Sequence, residues 1–267
     1  MIPRRALKPY LAEFLGTALL IVIGDGVVAQ CLLSDYQYGT WLSINIAWAA
    51  AVCLASYLSD PSPTINPAVT ICTALVRPSA GQWKTIPGKL AAQFLGGFVG
   101  AALVYVNYRS AILAWDPEYT IPWGSILSPT GHHSAGIFST YPAAFFSSNW
   151  EAVFSEVLGS AVLMFGCLSI SDPANAHRFP APQLSLFLLL LSIGAALGWQ
   201  TGYVSSLLAL ITDYNGPGDI NISFRHLTQL VTLAQDCSLL FFTVVRYSQQ
   251  LVTTVSCLYS LQLLDVL

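Results

Sequence analysis

Residues 13–21 read EFLGTALLI and residues 156–164 read EVLGSAVLM, so Glu, Leu, Gly, a small hydroxyl residue, Ala and Leu recur in register 143 residues apart. What such a repeat can build depends on the solvent around it. Only 9% of the 267 residues are charged and 55% are hydrophobic. A soluble chain carries roughly 25% charged residues, so this one lacks the means to cover itself against water and reads as an integral membrane protein. Spanning the bilayer takes roughly 20 apolar residues. Residues 10–33, 39–58, 86–106, 151–171 and 184–203 meet that length, and a sixth, weaker span is expected within 230–264. Three spans separate the two copies of the repeat, so the copies cross in opposite directions. An inverted repeat of this kind places its working site near the midplane, between the halves.

Basic residues orient the set. Arg4, Arg5 and Lys8 precede the first span, Arg77, Lys84 and Lys89 lie between the second and third, and Arg178 lies between the fourth and fifth; only Arg109 and Arg225 fall in the alternate loops. Seven against two puts both termini in the cytoplasm. Cleavage as a signal peptide is not expected, because the first apolar run is long enough to span and no small-residue cleavage site follows it. A net charge of −3 is too small to suggest a nucleic-acid partner. The six cysteines are scattered without a CxxC pair and read as small buried hydrophobes, not as a metal site. No cofactor is expected.

Carboxyl groups inside a bilayer are costly and turn toward protein or a polar cavity. Glu13 and Glu156 are therefore expected to accept hydrogen bonds from non-helical backbone within each half, because such backbone must find partners locally. In "GGFVG", Gly96 and Gly100 present a small face for close helix packing.

Residues 65–70, INPAVT, are a helix start. Asn66 is a favoured N-cap, and Pro67 suits the first helical position because its missing amide hydrogen would be orphaned there anyway. Arg77 suits the negative end of the helix dipole, and Pro78 disfavours helix at the residue before it. About ten helical residues give roughly 15 Å, half of a hydrocarbon core of about 30 Å. The stretch is thus expected to be a re-entrant half-helix with its positive end at the membrane centre, where it repels cations.

With AEFLGT, GDGVVAQ, INPAVT, KLAAQFLGGFVGAALVY and GAALGWQTGY in hand, the chain resembles the aquaporin (major intrinsic protein) family on its glycerol-conducting aquaglyceroporin branch, in a fungal-like form, over about residues 10–203. That resemblance implies an all-α integral membrane fold: a six-span helical bundle with an inverted repeat and two re-entrant half-helices. It implies one channel domain over 1–267, with a first repeat at 10–106, a connecting loop at 107–150 and a second repeat at 151–267. It further implies passive conduction of glycerol, other small uncharged solutes and water by a homotetramer in the lipid bilayer of the plasma membrane. The pore motif would be Asn66, Pro67 and Ala68, and the selectivity filter Trp48, Gly194 and Tyr203. In that filter two aromatic walls face the carbon edge of a polyol, and Gly194 widens the constriction by being small. The approach to the first motif departs from the family's Gly-rich form and reads DPSPT, two residues shorter.

A second Asn-Pro-Ala is due near residue 209, followed by a filter arginine, yet residues 204–267 contain no Asn-Pro and hold two of the 19 glycines. Val204-Ser205 can be encoded by GTA-AGT, which fits a splice-donor sequence, so a retained intron would account for this divergent segment. The rival function is a non-conducting isoform that only co-assembles with intact subunits. An intramembrane enzyme would need paired catalytic groups; His132 and His133 lie in a loop, and no Ser/Asp/His set sits at helical spacing.

Overall fold

The computed structural model describes residues 4–58, 63–79, 81–117, 133–140, 143, 145–146 and 149–201. Among them the regular elements are all helical: α1 (Arg4–Leu33), α2 (Trp41–Leu58), α3 (Pro67–Val76), α4 (Gln82–Trp115), α5 (Asn149–Ile170) and α6 (Pro182–Thr201), with 3-10 turns at Ser134–Ile137 and Pro173–Asn175. Five of these helices are long and apolar enough to cross a membrane, and α3, at ten residues, is not. The expected sixth span lies outside the described residues.

Two boundaries differ from the sequence expectation. The first helix begins at Arg4 rather than near residue 10, with Pro9 inside it. The third span extends through Trp115, so the connecting loop starts later than 107. NYRSAILAW contains no breaker, and the helix stops only at Asp116, the residue before Pro117. There Asp116 N–H closes on Ile112 O at 2.7 Å, and Asp116 Oδ2 accepts from Ser134 N (2.8 Å) and Ser134 Oγ (2.5 Å). This ties the return of the loop to the end of α4.

The burial pattern is inverted relative to a soluble protein. Leu7, Leu11 and Leu15 on α1 and Leu95, Leu103 and Val106 on α4 are exposed, while Glu13, Thr17, Asp25, Asn45 and Gln93 are buried. Apolar side chains facing outward are stable only against lipid tails, and polar groups in that setting collect inside.

The seam between α1 and α4 is the most extensive helix contact. A Cβ placed on Gly96 would stand 2.4 Å from the backbone oxygen of Phe14, and one on Gly100 would stand 2.8 Å from that of Ala18. The two backbones therefore meet directly, as small residues in membrane helices allow. Contacts advance together along both helices, from Tyr10 against Gly88 to Phe14 against Gly96 and Ala18 against Gly100, so α1 and α4 run parallel. Their N-termini share one membrane face. Of the remaining helices, α2 packs on α1 and α6, and α5 packs on α6.

A methyl group at residue 96 has nowhere to go, because a carbonyl on a neighbouring helix cannot swing aside. Gly96→Ala is expected to cost about 1–3 kcal/mol and to lower the thermal midpoint in detergent. Gly26→Ala meets nothing within 4 Å and is expected to hold or raise that midpoint, since Ala favours helix over Gly by about 1 kcal/mol. Circular dichroism melts of both variants make the comparison.

Candidate functional site

The site is organised around a helix that starts inside the bundle. Asn66 takes an extended conformation (φ −147°, ψ 124°), and its Oδ1 accepts from Ala68 N at 2.8 Å and from Val69 N at 3.4 Å. Pro67 then occupies the first helical turn, and α3 ends at Val76, with Arg77 N–H bonded to Thr73 O at 2.9 Å. With Oδ1 committed to the cap, the side-chain nitrogen of Asn66 is the end of the amide that carries hydrogens to give.

Depth follows from the neighbours. The residues just before α3 contact Glu13, nine positions into α1, and Gln93, eleven positions into α4. At 1.5 Å per residue that is about 14–16 Å from the face where α1 and α4 begin. The far end of α3 returns toward that face, since α4 starts at Gln82. The half-helix is re-entrant.

One carboxylate holds the non-helical approach. Glu13 Oε1 accepts from Thr64 N (3.1 Å) and Thr64 Oγ1 (2.9 Å), and Oε2 accepts from Ile65 N (2.8 Å) and Gln93 Nε2 (2.9 Å). Glu13 is fully buried, and Lys89 Nζ stands 3.5 Å from Oε1. Because both oxygens of Glu13 accept, the Gln93 amide must present its nitrogen, which also donates to Thr70 Oγ1 at 2.9 Å. The Thr70 hydroxyl in turn lies 2.9 Å from Asn66 O and 2.5 Å from Thr64 Oγ1. These bonds hold Ile65 at φ +46°, a left-handed conformation that is rare and costly for a β-branched residue, at about 1–3 kcal/mol.

The opposite end of α3 is anchored in the second repeat. Arg77 donates through Nη1 to Ser171 O (3.0 Å) and through Nη2 to Leu168 O (2.8 Å), and it pairs with Asp172 Oδ2 at 3.3 Å. The guanidinium thus satisfies carbonyls at the C-terminal end of α5, where a helix leaves them unpaired and partially negative.

The remaining sequence-derived residues are placed as follows. Trp48 is half-buried on α2 and lies over Gly24 of α1, where a Cβ would come within 2.5 Å of the indole. Gly194 is on α6, partly exposed, where that helix packs against α2. A Cβ there would fall 2.3 Å from Oδ1 of Asn45, one turn before Trp48. Asn45 is 3% exposed, and its Nδ2 has no hydrogen-bond partner among the described residues. The smallness of Gly194 is therefore required by the α2–α6 contact itself. Glu156 is 2% exposed on α5; the repeat puts its counterpart of Thr64 and Ile65 at 64 + 143 = 207 and 65 + 143 = 208, outside the described residues. Tyr203 and all of 204–267 also lie outside them. Sequence reasoning passed over Thr64, Thr70, Gln93, Lys89 and Asn45; the available signal was a polar side chain inside an otherwise apolar span, as with Asn45 and Gln93.

Residues 3–207 match the family model described as "Major intrinsic protein". The chain belongs to the major intrinsic protein family. It is 39% identical over 198 residues to a probable aquaglyceroporin-2 of Gibberella zeae and 37% identical over 205 residues to aquaglyceroporin-9 of Botryotinia fuckeliana. These alignments take in 73% and 76% of this chain but 56% and 44% of those proteins, so the chain spans about half the length of these relatives. An aquaporin of Laccaria bicolor is 37% identical over 201 residues, 74% of this chain and 72% of its own. The X-ray structure of the aquaglyceroporin from Plasmodium falciparum superposes with a TM-score of 0.61 at 24% identity, covering 90% of this chain and 95% of that one. The fold is thus the aquaporin-like helical membrane fold, in a family of channels rather than enzymes.

Replacing Glu13 by Gln presents an NH2 group to backbone amides that need an acceptor. Glu13→Gln is expected to cost about 3 kcal/mol or more and to expose the Thr64–Asn66 backbone to protease, read by limited proteolysis in detergent. A two-residue cycle checks the α2–α6 contact. Gly194→Ala should lower the thermal midpoint, and Asn45→Ala/Gly194→Ala should recover most of the loss.

Proposed function

We propose that the protein is a passive transmembrane channel for glycerol and other small uncharged solutes, with water as a further permeant. The observation that carries this reading is the buried N-terminus of α3, capped by Asn66 and held about half-way into the bundle by Glu13. A helix N-terminus carries about half a positive charge, which opposes the entry of cations. The Asn66 amide nitrogen supplies hydrogen-bond donors to a passing hydroxyl oxygen. Neutral polyols lose water on entering and regain hydrogen bonds there, while ions meet a barrier.

The names of the fungal relatives support glycerol as the solute. On this reading Asn66, Pro67 and Ala68 form the pore motif, and Trp48 and Tyr203 give the filter its aromatic walls, with Gly194 beside them. The chain acts as a single channel domain in a homotetramer, in the plasma membrane, with both termini cytoplasmic. A second reading has a specific observation in its favour. The family match stops at residue 207, and residues 204–267 lack the second Asn-Pro-Ala and its arginine. A chain with one half-helix would be a poorly conducting or silent subunit that assembles with intact ones.

Stopped-flow swelling of proteoliposomes in a glycerol gradient tests the two. The expected result is entry faster than in protein-free liposomes, slower than through a fungal aquaglyceroporin with both motifs, and reduced at least severalfold by Asn66→Ala. Entry no faster than through lipid alone overturns the channel reading in favour of the silent subunit.

A further inference from the structure

Glu13 accepts more hydrogen bonds than a neutral carboxyl can. Oε1 takes the amide and hydroxyl of Thr64, and Oε2 takes the amide of Ile65 and the side-chain nitrogen of Gln93. A protonated carboxyl turns one of its oxygens into a donor, and that donor would face a backbone N–H on either side. The full set of bonds therefore needs the ionised form. Yet Glu13 is 0% exposed, and a carboxylate removed from water keeps its charge only beside a compensating group. The titratable groups on the described elements around it can be named. On α1, Lys8 is exposed and Tyr10 lies against Gly88; α3 carries Cys72; on α4, Lys84 is exposed. Lys89, one turn before Gln93 on the same face of α4, brings Nζ to 3.5 Å from Oε1. That distance is a charge contact, longer than the bonds of 2.8–3.1 Å that aim the Thr64 and Ile65 amides. Short bonds set the direction of the backbone, and Lys89 supplies the charge that those bonds require.

We propose that Lys89 is a positioning residue for the Asn66 cap: its charge keeps Glu13 ionised, and through Glu13 it holds Thr64 and Ile65 in place at acidic as well as alkaline pH. Without that charge the buried carboxylate takes up a proton as pH falls, and one acceptor oxygen is lost. The seat is then present at high pH and given up as pH drops. Any consequence for conduction rests on the channel reading above, but the seat itself can be read without flux. A silent channel leaves this inference standing, and its failure leaves the channel reading standing.

The test uses the full chain in lipid nanodiscs, with hydrogen–deuterium exchange read at Thr64 and Ile65. Rates are expressed as protection factors, which divide out the intrinsic pH dependence of exchange. The parent chain is expected to keep the same protection from mildly alkaline to mildly acidic buffer. Lys89→Met is expected to lose protection progressively toward the acidic end, by roughly tenfold or more across the range. Lys89→Arg should keep the parent profile. Lys89→Gln retains a hydrogen-bond donor without the charge; it should behave as Lys89→Met does, and it replaces that variant if Lys89→Met does not fold. Asp60→Asn removes the nearest carboxylate before Thr64 in the sequence and should leave the profile unchanged. Protection that falls equally at every pH in the uncharged variants is loss of packing rather than of charge, and overturns the proposal. So does protection that does not fall at all, or an Asp60→Asn variant that reproduces the Lys89→Met profile.

Discussion

The structure depends on a single buried carboxylate. Inside a bilayer, backbone that is neither helix nor closed sheet has no water to turn to, and each unmatched amide costs several kcal/mol. The approach to α3 is such backbone, and Glu13 meets it with both oxygens. Gln93 and Lys89 from α4 converge on the same carboxylate. The charge that would be intolerable alone is distributed over donors from a loop and a second helix. The tight α1–α4 seam is what brings Gln93 within reach, so Gly96 and Gly100 are part of the same device as Glu13.

This arrangement also explains how a strained residue persists. Ile65 sits at φ +46°, which local sterics oppose, but the conformation aims its amide at Glu13 and delivers Asn66 to the cap position. Strain in one residue is exchanged for two well-made interactions. Asn66 then has its acceptor fixed on the helix, and on the proposed channel reading this sets the orientation of the amide nitrogen before any solute arrives. Pre-set donors of this kind cost no reorganisation at the moment of use.

Much of this was legible in the chain. Asn66-Pro67 and Arg77-Pro78 marked both ends of α3, because cap chemistry and proline geometry are local and survive any tertiary context. Other features were hidden for physical reasons. A β-branched residue in the left-handed region runs against its own propensity, so nothing in the letter Ile suggests the turn at residue 65. The end of α4 was placed too early because Arg109 and neighbouring polar residues resemble a loop, although no breaker precedes Asp116. The close approach of Gly194 to Asn45 on the adjacent helix is a pairing that only coordinates display.

The Arg77 contacts have a consequence for biosynthesis. The half-helix belongs to the first repeat, but the carbonyls that receive its guanidinium come 91 and 94 residues later, at Leu168 and Ser171. At about 5–20 residues per second, those partners leave the ribosome on the order of ten seconds after Arg77. In that interval α3 has its deep end supplied by Glu13 but its outer end without its final anchor. The re-entrant element is therefore assembled in two stages, seated early from within its own half and fastened late by the other. The two halves of the inverted repeat become one object at that second stage.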